Sequence, residues 1–219
     1  MGLGDKAIIL ICKLKTNSMK HFSLLLFALL LSTAAVAQER GSTSLNLYGG
    51  YTFSDRVEYN SSYGYVEEAF QYGGGIEYFY YHNNSIEVKY LRTDNDMPVY
   101  GPLGSQLNAG NERGAVNYIL VGGKSYFGSS SQTALPYLGI GLGVGIIESP
   151  QSGNATTFAW DLSLGLKIKT ESVVSVNLQA YMQSASAAVS DGYYYYPYYY
   201  DYVAIYQFGL GAVLSFNFE

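Results

Sequence analysis

The sequence predicts an all-β fold: an eight-stranded antiparallel up-and-down transmembrane β-barrel with short periplasmic turns and long extracellular loops. Three observations predict it. Apolar and polar residues alternate along long segments, the connections between these segments are alternately short and long, and a secretory signal precedes them.

The clearest strand lies in residues 158–169. One face carries Phe158, Trp160, Leu162, Leu164, Leu166 and Ile168, and the other carries Ala159, Asp161, Ser163, Gly165, Lys167 and Lys169. This alternation predicts one apolar and one polar face. Strands of soluble sheets usually have ~5–6 residues, whereas a strand that crosses a bilayer needs ~9–11. The length of the segment therefore favours a membrane-spanning strand.

The same alternation predicts seven more strands. They lie in 43–53, 67–80, 84–92, 115–127, 133–147, 173–184 and 202–218. Because 115–127 is apolar on both faces, the sequence leaves its facing open.

The predicted connections fall into two classes. The tight ones are 82–83, 128–132 and 170–172, and the long ones are 54–66, 93–114, 148–156 and 185–201. Short turns at one end and long loops at the other are typical of transmembrane β-barrels. The even number of strands then places both termini on the periplasmic side.

The N-terminal region has the layout of a secretory signal peptide. Met19-Lys20-His21 precedes an apolar run in 22–31, and a stretch of small residues ends at Ala37. The run is shorter than the ~20 apolar residues of a transmembrane helix. We therefore predict cleavage after Ala37 and export through the periplasm to the bacterial outer membrane.

This prediction divides the chain into three parts. They are 1–18, an upstream start-site extension, 19–37, the signal peptide, and 38–219, the barrel domain. The alternative for 1–18 is an unusually long basic region of the signal, with translation starting at Met1 rather than Met19.

The composition excludes several classes of protein. Hydrophobic residues make up 48% and charged residues 13%, which argues against disorder. Twelve Lys and Arg against 17 Asp and Glu give a net charge of −5, which argues against a nucleic-acid partner. The single Cys excludes an intramolecular disulfide framework and a Cys-rich zinc site.

The C-terminal strand carries the most specific motif, Leu214-x-Phe216-x-Phe218. With it, 38–219 resembles the small outer-membrane β-barrels of the OmpX/OmpA-transmembrane type. The motif resembles the terminal aromatic signal that the barrel-assembly machinery recognises, although here Glu219 follows the last Phe. The resemblance implies that outer-membrane lipid, lipopolysaccharide and the barrel-assembly machinery are partners.

The competing fold is a soluble lipocalin-like barrel, which buries its apolar face and exposes its polar one. Periodicity alone does not separate the two, but strand length, secretion signal and terminal Phe favour the membrane. In that case aromatic residues mark the two interfaces. We expect Tyr51, Phe53, Trp160, Tyr181 and Tyr202 on the long-loop side, and Tyr80, Phe127, Tyr137, Phe216 and Phe218 on the other.

Six charged residues fall on the predicted inward face: Glu77, Glu87, Lys89, Asp161, Lys167 and Lys169. In an eight-stranded barrel the interior is just wide enough for side chains to fill it. We therefore expect a packed charge network, with a narrow polar conduit as the alternative. The glycines in 139–145 either leave a local cavity or let a large neighbour such as Tyr181 fold inward.

The sequence gives little support to enzyme or metal chemistry. His82 is the only histidine after the predicted cleavage site, and it falls in a predicted periplasmic turn, where a turn role is favoured over a catalytic base. Asp94-Asn95-Asp96 could bind a divalent cation weakly, but such residues are commonly solvated turn residues. We predict no catalytic residue, no metal site and no cofactor.

The last long loop contains an unusual run, Tyr193-Tyr194-Tyr195-Tyr196-Pro197-Tyr198-Tyr199-Tyr200. Tyr offers rigid, amphipathic contact area, so the run is a candidate surface for recognition, with a cap over the barrel mouth as the equal alternative. Two functions follow: a non-enzymatic surface barrel whose loops contact a partner that the sequence does not name, or a narrow channel for small, apolar solutes.

Overall fold

The computed structural model describes residues 41–59, 62–129, 131–149, 153–170, 172–189 and 201–218. The predicted extension in 1–18, the signal peptide in 19–37 and the run Tyr193–Tyr200 lie outside the described residues. Among the described residues, no helix is long and apolar enough to cross a bilayer.

The described residues form eleven strands. They are β1 Thr43–Thr52, β2 Asp55–Tyr59, β3 Ser62–Val66, β4 Ala69–Tyr81, β5 Asn84–Asp96, β6 Val99–Tyr100, β7 Arg113–Tyr126, β8 Ala134–Ser149, β9 Gly153–Lys169, β10 Val174–Val189 and β11 Asp201–Phe218. All eight predicted strands are present.

Eight of these strands form a closed barrel in the order β1-β11-β10-β9-β8-β7-β5-β4, and β4 returns to β1. Every neighbouring pair is antiparallel. The first and last strands close the sheet along the full length of β1, from Thr43↔Phe218 to Thr52↔Gly209. Closure leaves no barrel edge with unpaired backbone groups, which is the condition for a sheet to cross a bilayer.

The facing of the strands excludes the soluble alternative. Large apolar side chains point outward, and Leu164 is 63% exposed. Three residues further along β9, Lys167 points inward and is fully buried. A soluble barrel would reverse this arrangement. The outward face is therefore an apolar band of the kind that transmembrane barrels present to lipid.

The structure resolves the facing of β7. Val116, Tyr118 and Leu120 point into the barrel and are fully buried, whereas Ile119 and Val121 are exposed on the outer wall. The same parity carries Lys124 inward, where it is buried.

Two predicted interface aromatics are wrong. Tyr137 and Tyr181 are not on the outer wall: both point inward, and Tyr137 is fully buried. Both residues fall in the alternating series whose side chains point inward, Tyr137 on β8 and Tyr181 on β10. Tyr51, Phe53, Tyr80 and Phe127 are exposed as predicted. The side chain of Tyr202 lies outside the described residues.

The predicted long connections contain more strand than expected. β8 and β9 stay paired up to Ser149↔Gly153, so the described residues of the predicted connection 148–156 are strand. In 54–66, β2 pairs with β3, and in the following connection β6 pairs with β3 to complete a three-stranded sheet outside the barrel. Backbone pairing beyond the apolar band explains why hydropathy alternation stops before the strands end.

Candidate functional site

A group of paired charges fills the lumen. Lys124 lies between two carboxylates, with Nζ 3.7 Å from Glu77 and 2.9 Å from Glu87. Lys89 reaches across the lumen from β5 to Asp161 on β9 at 2.5 Å. These five side chains are buried. Each charge therefore depends on its partner, because water does not solvate it.

Neutral side chains satisfy the remaining bonds of the two glutamates. Asn46 donates to both, at 3.0 Å to Glu77 and 2.6 Å to Glu87. Ser85 and Tyr126 also donate to Glu77. The hydroxyl of Tyr48 donates to Glu87. Such bonds offset the desolvation of a buried carboxylate.

The two remaining predicted lysines occupy different surroundings. Lys167 is fully buried, with Nζ 5.0 Å from the ring centre of Phe79 and 5.5 Å from that of Tyr126. It also donates to Asn217 at 3.5 Å. Lys169 is only partly buried near the end of β9. The structure thus brings Glu77, Glu87, Lys89, Asp161 and Lys167 into the lumen and leaves Lys169 nearer the end of the lumen that carries the short turns.

Sequence reasoning missed Lys124, which pairs with both glutamates. The signal that could have found it is the parity of β7: Lys124 and Tyr126 lie in the same alternating series as Tyr118 and Leu120. Apolar residues on both faces of the segment concealed that series.

Hydrogen bonds also cross the lumen above the charges. Gln71 on β4 and Gln183 on β10 exchange two bonds of 3.0 Å between their side-chain amides. Tyr118 on β7 donates to Gln207 on β11 at 2.9 Å. These bonds connect strands that are not neighbours in the barrel, so they brace the lumen from within.

Glycines make room for these inward side chains. A Cβ at Gly141 would lie 2.2 Å from Asp161 Oδ1, and one at Gly139 would lie 2.5 Å from Ser163 Oγ. A Cβ at Gly209 would lie 2.3 Å from the ring of Tyr181. Tyr181 does fold inward, but over glycines of β1 and β11 rather than those in 139–145.

Apolar side chains close the lumen at the end that carries the longer connections. Val66, at the end of β3, and Met97, which follows β5, pack in one buried cluster with Val116, Ile147 and Ile205. Backbone bonds hold the two segments there: Glu67 N–H, next to Val66, donates to Asp96 O at 2.9 Å, and Met97 N–H donates to Glu112 O at 2.7 Å. The β1–β4 and β5–β7 connections thereby cover this end of the barrel.

The small sheet of β2, β3 and β6, which lies outside the barrel, carries an aromatic cluster. The rings of Tyr63 and Tyr100 stack with centroids 5.2 Å apart, and Tyr65 packs edge-on against both. The guanidinium carbon of Arg56 lies 4.8 Å from the ring centre of Tyr63. The three tyrosines are partly exposed, so the cluster forms part of the surface at this end of the barrel.

The two other candidates from the sequence do not form sites among the described residues. His82 lies in the tight turn between β4 and β5. In Asp94-Asn95-Asp96, Asn95 points inward and donates to Glu67 O, while both aspartates are exposed on the outer face. Within the described ranges, no group of three or more His, Cys, Asp or Glu could hold a metal ion.

Two solved structures share this arrangement of strands over most of the chain. The outer membrane protein OprG from Pseudomonas aeruginosa superposes with a TM-score of 0.54 and 14% identity, covering 82% of this chain and 98% of that one. Neisserial surface protein A superposes with a TM-score of 0.55 and 13% identity, covering 80% of this chain and 96% of that one.

The fold is that of the small outer-membrane β-barrels. At these identities the likeness shows the fold alone. No protein-family model matches the sequence, and no curated protein matches it.

Proposed function

We propose that this chain is a non-enzymatic integral protein of the bacterial outer membrane, with a structural or surface-interaction role through its extracellular loops. One observation carries the choice over a channel. The lumen is filled from end to end with buried side chains: Tyr137 near one end, the charge cluster, the Gln71–Gln183 bridge, and the cap that contains Met97. A water-filled channel would leave its lining exposed.

The candidate contact surface is aromatic and lies outside the barrel. The cluster of Tyr63, Tyr65 and Tyr100 is on the extracellular sheet, and Tyr193–Tyr200 belongs to the connection between β10 and β11 at the same end of the barrel. Tyr provides large contact area at low cost in conformational entropy. We therefore assign recognition to these loops, and lipid contact to the apolar outer wall.

Conductance separates the surface role from the channel. The purified full chain, folded into planar bilayers, should show no steady open conductance, with a general porin as the positive control in the same membranes. A sustained conductance that disappears when Gln71 and Gln183 are both replaced by bulkier Trp would instead support a channel through the lumen.

Loop replacement tests the surface role directly. Replacing Tyr193–Tyr200 with a short Gly/Ser loop should leave a heat-resistant, gel-shifting barrel, because barrel hydrogen bonds and the apolar wall lie elsewhere and loop closure depends weakly on length. Cell adhesion or aggregation conferred by the protein should fall. The matched control replaces the same number of residues in the periplasmic turn regions with Gly/Ser, which should leave adhesion unchanged. Unchanged adhesion in the Tyr-loop variant would contradict recognition by this loop.

A further inference from the structure

The small sheet of β2, β3 and β6 has two different faces. Val57 and Val66 lie on the face that packs against the buried cluster closing the lumen. Tyr63 and Tyr65 alternate with that series and lie on the other face, together with Tyr100, whose ring stacks on that of Tyr63. One face therefore belongs to the cap of the barrel. The other, which carries the three tyrosines and is called the tyrosine face below, points away from the cap.

The tyrosine face already holds one cation. Arg56 is the register partner of Tyr65, and its guanidinium carbon lies 4.8 Å from the ring centre of Tyr63. The same guanidinium pairs with Glu58 at 3.1 Å, and both side chains of this pair are more than half exposed. A cation over an aromatic ring is attracted by the negative charge of the ring face. This contact shows how a guanidinium fits on the sheet, against a ring and beside a carboxylate.

Two further carboxylates lie on the same face. The pairing of β3 continues past its last residue, because Glu67 N–H donates to Asp96 O at 2.9 Å, so Glu67 and Asp96 lie opposite each other, next to Tyr65 in the alternating series. Both are exposed. Within the described residues neither forms an ion pair, although Arg113 is the register partner of Asp96 across β5 and β7. The tyrosine face thus has rings and carboxylates for more than one cation.

The charge around the tyrosine face is mainly negative. Among the described residues at the end of the barrel that carries the longer connections, eight carboxylates stand against three arginines. The carboxylates are Asp55, Glu58, Glu67, Glu68, Asp94, Asp96, Glu112 and Glu148, and the arginines are Arg56, Arg92 and Arg113. A surface of this kind attracts a basic partner and repels an acidic one.

Hydrogen bonds hold the tyrosine face in place. Tyr65 N–H donates to Pro98 O at 3.0 Å. The buried side chain of Asn108 accepts a bond from Val99 N–H at 2.9 Å and donates to Met97 O at 2.8 Å. The segment that leads to β6 is therefore fixed from both sides. A surface that is ordered before binding loses less conformational entropy when a partner binds.

We propose that the tyrosine face binds a basic segment of another protein. The inference rests on the surface role proposed above and names the class of partner. Arginine side chains of the partner lie against the ring of Tyr65 and pair with Glu67 and Asp96, which repeats the contact that Arg56 makes within the chain. Arginine is favoured over lysine, because a planar guanidinium stacks on a ring while it bonds a carboxylate.

Binding of defined peptides tests the proposal. The full chain is folded into nanodiscs of phosphatidylcholine, whose headgroups carry no net charge. Three short labelled peptides, in which Gly alternates with Arg, Lys or Glu, are titrated and their binding is followed by fluorescence anisotropy. The Arg peptide should bind most tightly, the Lys peptide more weakly and the Glu peptide not at all. No binding of the Arg peptide, or equal binding of the Arg and Glu peptides, would overturn the proposal.

Substitutions on the tyrosine face separate a site from general attraction. Glu67→Gln should weaken binding of the Arg peptide about threefold, and Glu148→Gln, which removes one carboxylate on β8 at the same end of the barrel, is the matched control with unchanged affinity. Tyr65→Leu should also weaken binding about threefold, whereas Tyr65→Phe keeps the ring and should keep the affinity. Equal losses in Glu67→Gln and Glu148→Gln would overturn the proposal, because they would show attraction to the whole surface.

A neutral glycan is the alternative occupant of an aromatic surface, so maltohexaose is titrated in the same nanodiscs. Binding of maltohexaose that Tyr65→Leu abolishes and Glu67→Gln leaves intact would overturn the proposal in favour of a glycan. Folding of each variant is scored by heat-dependent gel migration. Cell adhesion that persists while the Arg peptide fails to bind would overturn the basic partner alone and leave the proposed surface role in place.

Discussion

Two ion pairs whose cations lie on β5 show that the barrel buries some charges in its lumen and leaves others exposed on its outer wall. Lys89 and Arg92 are three residues apart on β5 and point to opposite sides of the sheet. The pair Lys89–Asp161 lies inside, with side chains 8% and 2% exposed, whereas the pair Arg92–Glu148 lies outside, with 27% and 38% exposed. The inner pair must satisfy itself, and the outer pair remains accessible to a ligand.

The difference teaches that charge alone does not identify a functional site in this fold. Inside the lumen, burial turns Glu77, Glu87 and Lys124 into parts of the packed core. On the rim, similar residues keep contact with solvent. The side of the sheet on which a charge lies therefore determines its role: a buried charge pairs with other side chains of the barrel, and an exposed charge can contact a ligand.

Breaking the inner pair should have the largest effect. Lys89→Met leaves Asp161 charged and buried without its partner, which should lower the free energy of unfolding by about 3–5 kcal/mol. The double variant Lys89→Met with Asp161→Leu removes both charges and should recover most of that loss. Urea titrations in lipid vesicles measure both. An equal loss in the single and double variants would contradict mutual compensation.

A charge on the lipid-facing wall should have the next largest effect. Leu164→Arg places a charge in the apolar band, which should cost ~2–4 kcal/mol if the position lies near the bilayer midplane. Lys167→Gln is the matched change on the inner face of the same strand, and it alters the charge balance without a lipid penalty. Arg is also introduced at Lys167. Equal tolerance of Arg at both positions in a bilayer-folding titration would overturn the assigned facing.

Filling the space above Gly209 should have an intermediate effect. Gly209→Val adds atoms where the ring of Tyr181 already lies, and overpacking of this kind typically costs about 1–3 kcal/mol. Adding Tyr181→Ala to the variant should restore part of the stability, because it removes the clashing ring. The same unfolding titration gives the interaction free energy between the Gly209→Val and Tyr181→Ala substitutions. Simple additivity of the two changes would show that they do not share space.

Breaking the outer pair should have the smallest effect on stability. Glu148→Gln should change the free energy of unfolding by about 0–1 kcal/mol, because exposed pairs are screened by water and salt. Since Arg92 lowers the pKa of Glu148, this small contribution is present above the ordinary carboxylate pKa and is lost as the pH falls through the lowered value. Titrations at neutral and acidic pH, at low and high salt, measure it. A loss as large as that of Lys89→Met would contradict the comparison.

Alternation determined the fold and most of the lumen. It predicted eight strands, and it placed Glu77, Glu87, Lys89, Asp161 and Lys167 on the inner face. It succeeded there because successive side chains in a strand point to opposite sides of the sheet, whatever the rest of the chain does. It did not decide which face of β7 points inward, because both faces are apolar. Tyr137 and Tyr181 were assigned to the membrane interfaces because they are aromatic, although both fall in the inward-pointing series of their strands.

The sequence by itself therefore determined the class of fold, the number of strands and the side of the sheet on which most residues lie, because these are local properties of a strand. Only the tertiary structure decided which polar side chains meet. Lys124 with Glu77, Gln71 with Gln183, and Arg92 with Glu148 are paired by barrel closure and register. Such partners are set by the distances between strands in the closed barrel, and no separation along the chain encodes those distances.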